Sequence, residues 1–282
     1  MQSRRTGPGA FALRHLLPGL LAGLFVVPLV AMVMGSLRPL GAPPPGGVEF
    51  VPPGATLRAY GLLNDLLPVT TYLRNSVVVA LVAVPLSVVV ASWAGFGIRL
   101  LGDRAKRMAV LASLLVMLVP ASALWATRFR VYAWFDLIGS VLPLIAPALL
   151  GTTPFLVLVY AWAFHGISDS QLHAARLEGA SAWTIWRRIA MPQVRTATLA
   201  VAILAFTFHW GNFVDALLYL RGQENYTLPL GLDTLKLLRP TEFPLLMAGA
   251  VVFSLPSVGV FLLAHRLFDD NPLDTLRKGT SS

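Results

Sequence analysis

Cysteine is absent from the 282 residues. Disulfide frameworks, thiolate metal sites and cysteine nucleophiles are therefore excluded. Charge is scarce as well: Asp, Glu, Lys and Arg make up 12% of the chain, against about 25% in a soluble domain. Histidine occurs at His15, His165, His173, His209 and His265 only. Their scatter suggests no multi-histidine metal site. What is abundant is apolar: 56% of residues are hydrophobic. A soluble all-helical protein with a large core is the competing reading, but a water-soluble fold of this length could not bury so much apolar surface. The lipid bilayer is the expected solvent.

The formal net charge is +9. In a soluble protein that would invite a nucleic-acid reading. Here the cations fall in short segments between apolar runs, which suits membrane topology, and no nucleic-acid partner is expected.

Six runs are long enough to cross hydrocarbon as helix, about 17 to 25 residues each. They are Leu16–Gly35, Ser76–Ile98, Met108–Trp125, Leu149–Gly166, Thr196–Leu220 and Pro244–Ala264. A partly embedded helix is expected before the fourth, where Pro143, Pro147 and Pro154 punctuate a charge-free stretch. The first run has a basic flank at Arg4, Arg5 and Arg14, but no small-residue cleavage site follows it before Arg38. It reads as an anchor. The N-terminal tail, the second and fourth connections and the C-terminal tail carry fourteen Lys and Arg, against eight on the other side. The richer side is expected to be cytoplasmic, with both termini inside. The expected layout is a tail at 1–15, a spanning domain at 16–268 and a tail at 269–282. External loops fall at 38–74, 126–148 and 221–243.

The first external loop is rich in Pro and Gly and reads as irregular, with a short helix near Leu57–Leu63. Between Trp125 and Ser140, Phe129, Tyr132, Trp134 and Phe135 mix with Arg128, Arg130 and Asp136. That mixture suits a helix at the lipid–water boundary.

The most informative segment lies between the fourth and fifth runs, at 168–193. Ser168, Asp169 or Ser170 can cap a helix ending at Leu177 or Glu178. Gly179 permits a turn or the close approach of another backbone. In a second helix, Trp183, Trp186 and Ile189 or Ala190 share one face, while Arg187 and Arg188 lie off it. Pro192 is expected to end that helix. Two readings are open on physical grounds. Either the hairpin presents an apolar knob to a groove on a cytoplasmic protein, or it only links two spans.

The segment resembles the Glu-Ala-Ala loop of binding-protein-dependent ABC importer permeases. Ala174, Ala175, Gly179, Ala180, Ile189 and Pro192 match at the expected spacing. Glu178 stands where Asp is usual, Met191 where Leu is usual, and His173 replaces the leading Glu. Further landmarks resemble the carbohydrate-uptake group, and within it the shorter six-span permeases of maltose-transporter G type. They are Asn75-Ser76, Trp210-Gly211-Asn212-Phe213, the stretch Tyr226 to Leu232, and Leu246 to Ala250. The resemblance covers roughly residues 16 to 280.

It implies an all-α polytopic protein, with six transmembrane helices and a cytoplasmic coupling loop, in a bacterial inner membrane. It implies a second, F-type permease, two ATPase subunits and an extracytoplasmic solute-binding protein as partners, membrane lipid around them, and a sugar, oligosaccharide or polyol derivative as solute. His173, Ala174, Ala175, Glu178, Gly179, Ala180, Trp183, Trp186, Ile189 and Pro192 would form the ATPase-coupling surface. The chain has no Gly-rich phosphate loop. ATP and Mg2+ would bind the partner ATPases, with no cofactor, metal or catalytic residue in this chain.

Asp215 is the one acid inside an apolar run. Such residues face a protein interior or a polar cavity. With His209, Trp210 and Asn212 it forms a candidate translocation path, Asn212 and Asp215 sharing a helix face. The same residues could equally bond neighbouring spans. Tyr226, Thr227 and Pro229 in the last external loop are candidate contacts for the binding protein. A membrane-embedded enzyme would need several converging catalytic groups, and no paired intramembrane acids are present. A non-transporting scaffold predicts that altering Gly179 leaves uptake untouched.

Overall fold

The computed structural model describes residues 8–47, 51–149 and 153–269. Segments 1–7 and 270–282 lie outside the described residues, and with them most of the two expected tails. Regular structure among the described residues is helical throughout. In chain order the α-helices are α1 (Pro8–Ser36), α2 (Arg58–Leu66), α3 (Val69–Leu100), α4 (Asp103–Met117), α5 (Ala121–Trp134), α6 (Leu142–Leu149) and α7 (Pro154–His165). They continue with α8 (Asp169–Leu177), α9 (Ala182–Ile185), α10 (Met191–Gln193), α11 (Arg195–Trp210), α12 (Phe213–Tyr219), α13 (Leu228–Leu238) and α14 (Phe243–Asp269). A π-turn, Trp186–Ala190, joins α9 to α10, and a 3-10 turn, Gln223–Asn225, precedes α13.

Three segments are long and apolar enough to cross a bilayer: Val69–Leu100, Leu142–His165 and Phe243–Arg266. Two further pairs, α4 with α5 and Ala182–Gln193 with α11, pass the same test only when each is taken together across its bend, for up to five, and the 29-residue α1 is compatible with a sixth.

A bend and a helix break correct two expected spans. Met108–Trp125 is not one straight helix, because α4 and α5 meet at 88° across Leu118–Pro120. Pro120 has no N–H to continue the ladder, and it precedes α5 in extended backbone. Thr196–Leu220 is also broken. α11 stops at Trp210, and α12 restarts at Phe213 after Gly211 and Asn212. The short helix of the first external loop does form, as α2, and the aromatic Trp125 segment falls largely in α5.

The chain divides into two compact units. The first comprises residues up to Val69 together with Leu232–Leu255. In it, Ser36 Oγ and Tyr60 Oη lie 2.7 Å apart, and the Gly41 N–H donates to Glu242 Oε2 at 3.0 Å. Leu63, Leu235, Leu245 and Ala248 are buried, whereas Leu20, Leu24 and Phe25 of α1 are exposed.

The second unit is Thr70–Gly231 with the remainder from Pro256. One core cluster gathers Phe96 of α3, Tyr160 and Phe164 of α7, Leu172 of α8, and Val201 and Ala205 of α11. A second joins Val79 and Ala83 of α3 to Leu144 of α6 and Ala216 of α12. The α3–α7 crossing is tight. A Cβ at Gly95 would stand 2.6 Å from the Tyr160 Cβ and 2.9 Å from the Ala161 nitrogen. Small residues allow this approach between apolar helices, where no hydrophobic effect drives them together in lipid.

Candidate functional site

The 168–193 segment is a hairpin with one face buried and one presented. Ser168 occupies the N-cap of α8 in extended backbone, but its side chain makes no cap bond. At the other end α8 closes in a complete Schellman motif. The Ala180 N–H reaches the Ala175 carbonyl and the Gly179 N–H the Arg176 carbonyl, both at 3.0 Å. Gly179 carries φ +80, and a Cβ there would meet nothing within 4 Å. Of the two roles open to Gly179 in the sequence, the structure therefore supplies the turn. Ser181 then caps α9, accepting from the Thr184 N–H at 3.2 Å.

Burial sorts the expected coupling residues. Ala175, Trp186 and Ala190 are buried, and Ala180 and Ile189 are half-buried against the same core. His173, Ala174, Glu178, Gly179 and Pro192 are exposed. The expected Trp183–Trp186–Ile189 face is only partly presented, because Trp186 is buried and Ile189 half-buried against the core while Trp183 stays exposed. The Trp186 ring stacks on Trp183 at 4.8 Å, and Trp93 of α3 stands edge-on to both, at 5.4 and 5.7 Å. Trp186 is 8% exposed and Trp183 is 50% exposed. What projects further is the end of α8, where Leu177 is 90% exposed. Sequence patterning passed over Leu177, although a lone Leu one residue before a polar Glu-Gly turn was the available signal.

The second helix ends one residue past Pro192, close to where it was expected to stop. The helix passes through the proline to Gln193, and the chain turns 87° at Val194 into α11. A π-turn lies immediately ahead of Pro192, the irregular register that accompanies displaced helix hydrogen bonds.

Arg99, in the last turn of α3, ties this hairpin to the helices. Its Nε donates to the Phe164 carbonyl at 3.2 Å, and its Nη2 to the Ile167 carbonyl at 3.0 Å and to Asp169 Oδ1 at 2.6 Å. The two carbonyls lie at and just past the C-terminus of α7, where helix carbonyls lack intrahelical donors. The guanidinium beside Asp169 holds its carboxyl below the usual carboxylate range. In the sequence Arg99 counted only as a topology charge.

The candidate path residues divide. Asn212 is the N-cap of α12, and its Oδ1 accepts the Asp215 N–H at 3.3 Å. Its Nδ2 donates to Asp215 Oδ2 at 2.9 Å. They are thus a reciprocal capping pair across a helix break, not neighbours on one continuous helix. Asp215 is 6% exposed. The carboxylate sits in the first turn, where the helix dipole favours negative charge. His209 is buried, its Nε2 3.2 Å from Ser87 Oγ. Trp210 stacks on Phe206 at 5.3 Å and borders a wholly apolar hollow of about 430 Å³ between α3, α11 and α14.

Two motifs some 150 residues apart meet. Asn75 Nδ2 donates to the Glu224 carbonyl at 2.8 Å and the Tyr226 carbonyl at 3.0 Å. Ser76 Oγ accepts the Leu228 N–H at 2.9 Å, satisfying an orphan donor at the start of α13. Thr227 is 3% exposed, so its side chain is not on a contact surface in this conformation. Tyr226 and Pro229 are half-buried. Among the described residues, no group of three His, Asp or Glu could hold a metal ion.

The fold is that of a solved importer subunit. Superposed on a chain of a bacterial ABC transporter involved in the import of the acidic polysaccharide alginate, it gives a TM-score of 0.73 at 19% identity, covering 95% of this chain and 99% of that one. The arabinooligosaccharides transport system permease protein AraQ of Halalkalibacterium halodurans is 26% identical over 251 residues, 88% of this chain and 89% of that protein. The lactose transport system permease protein LacG of Rhizobium radiobacter is 25% identical over 203 residues, covering 72% and 74%. The maltose/maltodextrin permease protein MalG of Vibrio parahaemolyticus is 28% identical over 209 residues, covering 71% and 69%. Residues 76–271, well over half the chain, match the family model described as the inner membrane component of binding-protein-dependent transport systems. The chain belongs to that family of ABC importer permeases.

Proposed function

We propose that this chain is one of two permeases in an ATP-driven carbohydrate importer, and that α8 transmits the force of ATP hydrolysis to it. The observation that carries the reading is the exposed end of α8, His173 to Gly179 with Leu177 at its tip, on a hairpin whose other face is buried. A partner can press on such an element and move the helices behind it. Energy must come from that partner, since the chain has no phosphate-binding loop.

In this reading two cytoplasmic ATPase subunits bind ATP and Mg2+, and their closure drives alternating access. A second, F-type permease shares the path, and an extracytoplasmic binding protein delivers the solute. Both termini lie in the cytoplasm. The carbohydrate class rests on the relatives, which are named for arabinooligosaccharides, lactose and maltose or maltodextrin. Asn212 and Asp215 set the helix break beside the path. The outer loop near Tyr226, held by Asn75 and Ser76, meets the binding protein through its exposed residues.

The test is affinity co-purification of the chain from its own membranes in mild detergent. Partners are identified by mass spectrometry, and ATPase activity is assayed with and without the co-purified binding protein. Recovery of a second permease and an ATPase stimulated by the loaded binding protein supports the reading. Recovery of the chain alone after crosslinking in the membrane overturns it.

A further inference from the structure

The hairpin end of the second unit holds a second feature, separate from the exposed α8 tip. A cavity of about 260 Å³ opens between the last turns of α3 and α7 and the first turns of α4. A single water occupies about 30 Å³ of liquid, so this space admits a larger group. Three nitrogen-bearing side chains stand at one end of it: Arg99, Lys106 and His165. The next turns are apolar, with Val110 on α4 and Leu158 and Trp162 on α7. Leu158 to His165 spans about 10 Å of helix, from apolar wall to polar rim.

The charge at the rim is unbalanced. The Lys106 side chain makes no hydrogen bond or ion pair among the described residues; of the nearby acids, Asp169 is already bonded to Arg99, and Asp103 lies in the first turn of α4. Arg104 and Arg107 add exposed cations beside Lys106 in the same turns of α4. Trp162 is 80% exposed, on the outer side of the cavity. A basic rim, an apolar interior and an indole at the edge match an amphiphile with an anionic head.

We infer that this cavity is a binding site for an anionic phospholipid, its phosphate held by Lys106 and His165 beside the Arg99–Asp169 pair, and the start of an acyl chain laid against Val110, Leu158 and Trp162. Placing it in the cytoplasmic leaflet rests on the orientation proposed above. That leaflet is where anionic headgroups attract Lys and Arg. The site adjoins the Arg99–Asp169 contact, so a bound headgroup would add a fixed negative charge where α3, α7 and α8 meet.

The experiment uses the intact complex, stripped of lipid in detergent and returned to nanodiscs of phosphatidylglycerol and phosphatidylcholine in a one-to-four ratio. Retained lipid is read by native mass spectrometry, and ATPase recovery is scored on the same sample. Wild type is expected to retain phosphatidylglycerol selectively. Lys106→Gln should weaken that retention about fivefold, the weight of one basic residue at an anionic surface. Lys106→Arg should restore it, Trp162→Ala should lower it, and Arg187→Gln, outside the cavity, should not. Equal retention in Lys106→Gln, equal loss in Arg187→Gln, or displacement of the lipid by free glycerol phosphate would overturn the inference. Loss of ATPase recovery with lipid retention intact would count against the importer reading alone.

Discussion

Arg99 Nη2 lies 2.6 Å from Asp169 Oδ1, joining the end of α3 to the first turn of α8. The ion pair by itself is weak, because Asp169 is 72% exposed and its Coulomb attraction is screened by water. The strength of the junction lies in the Phe164 and Ile167 carbonyls that Arg99 also satisfies, since its own side chain is only 11% exposed. Arg99→Ala should leave the Ile167 carbonyl without its donor, at about 1 to 3 kcal/mol, while the Phe164 carbonyl keeps the Ile167 N–H at 3.2 Å. We expect the ATPase to remain attached while solute-stimulated hydrolysis falls severalfold. Unchanged stimulation would remove Arg99 from the coupling route.

The pH dependence of that contact has a fixed sign. Asp169 has its carboxyl pKa lowered, first by the Arg99 hydrogen bond and then by its charge. A lowered pKa gives a contribution present above the unfolded value, near 3.9, and lost as pH falls through the folded value. The ratio of Asp169→Asn to wild-type coupling should therefore stay constant between about pH 5 and 8. A ratio that changes across that window would show another titrating group at work.

Gly179 tests the turn. Any L-residue placed at φ +80 incurs a left-handed penalty of about 1 to 2 kcal/mol. Because a Cβ meets nothing of this chain there, Gly179→Ala should fold with a slightly lower Tm in detergent. Gly179→Trp should insert normally but release the ATPase on purification. If the ATPase stayed bound and stimulated, α8 would not be the docking element.

Leu177 and Trp186 should separate by where their surfaces go. Leu177→Ser removes a side chain that is 90% exposed, so thermal stability should hardly move while ATPase recovery drops. Trp186→Ala empties a buried site, with an expected cost of about 3 to 5 kcal/mol. Thermal denaturation of the two purified variants, run beside ATPase co-purification, distinguishes docking from packing.

Asn212→Ala removes an N-cap, which costs about 0.5 to 2 kcal/mol, and leaves buried Asp215 without its Nδ2 donor. Asp215→Asn keeps a polar group of the same size in that turn. If the pair is purely a cap, Asp215→Asn should transport near the wild-type rate. If its charge serves the path, uptake should fall while complex recovery holds. Uptake into proteoliposomes decides between them.

Much of this protein was legible from one dimension. The apolar runs required helices in a bilayer, because only internally bonded backbone survives there. The 168–193 hairpin was legible because turn chemistry is local: Gly179 sits at the end of a short helix whose bonds span only a few residues, although the Ser181 cap that follows it emerged only from the structure. The breaks at Pro120 and Asn212 escaped hydropathy because a window average continues across a bend. Asn75 and Ser76 showed as a motif, but their partners at Glu224, Tyr226 and Leu228 are some 150 residues away.

Which face of the second hairpin helix is hidden was decided by tertiary structure alone. Periodicity put Trp183, Trp186 and Ile189 together but could not say whether a partner or the chain itself covers them. Trp93 on α3 stands edge-on to both tryptophans, which buries Trp186 but leaves Trp183 exposed, and Leu177 projects further still. Arg99 changed from a topology charge to a junction for the same reason. A side chain's spacing along a helix is written in the sequence, but what stands opposite it depends on how distant helices pack.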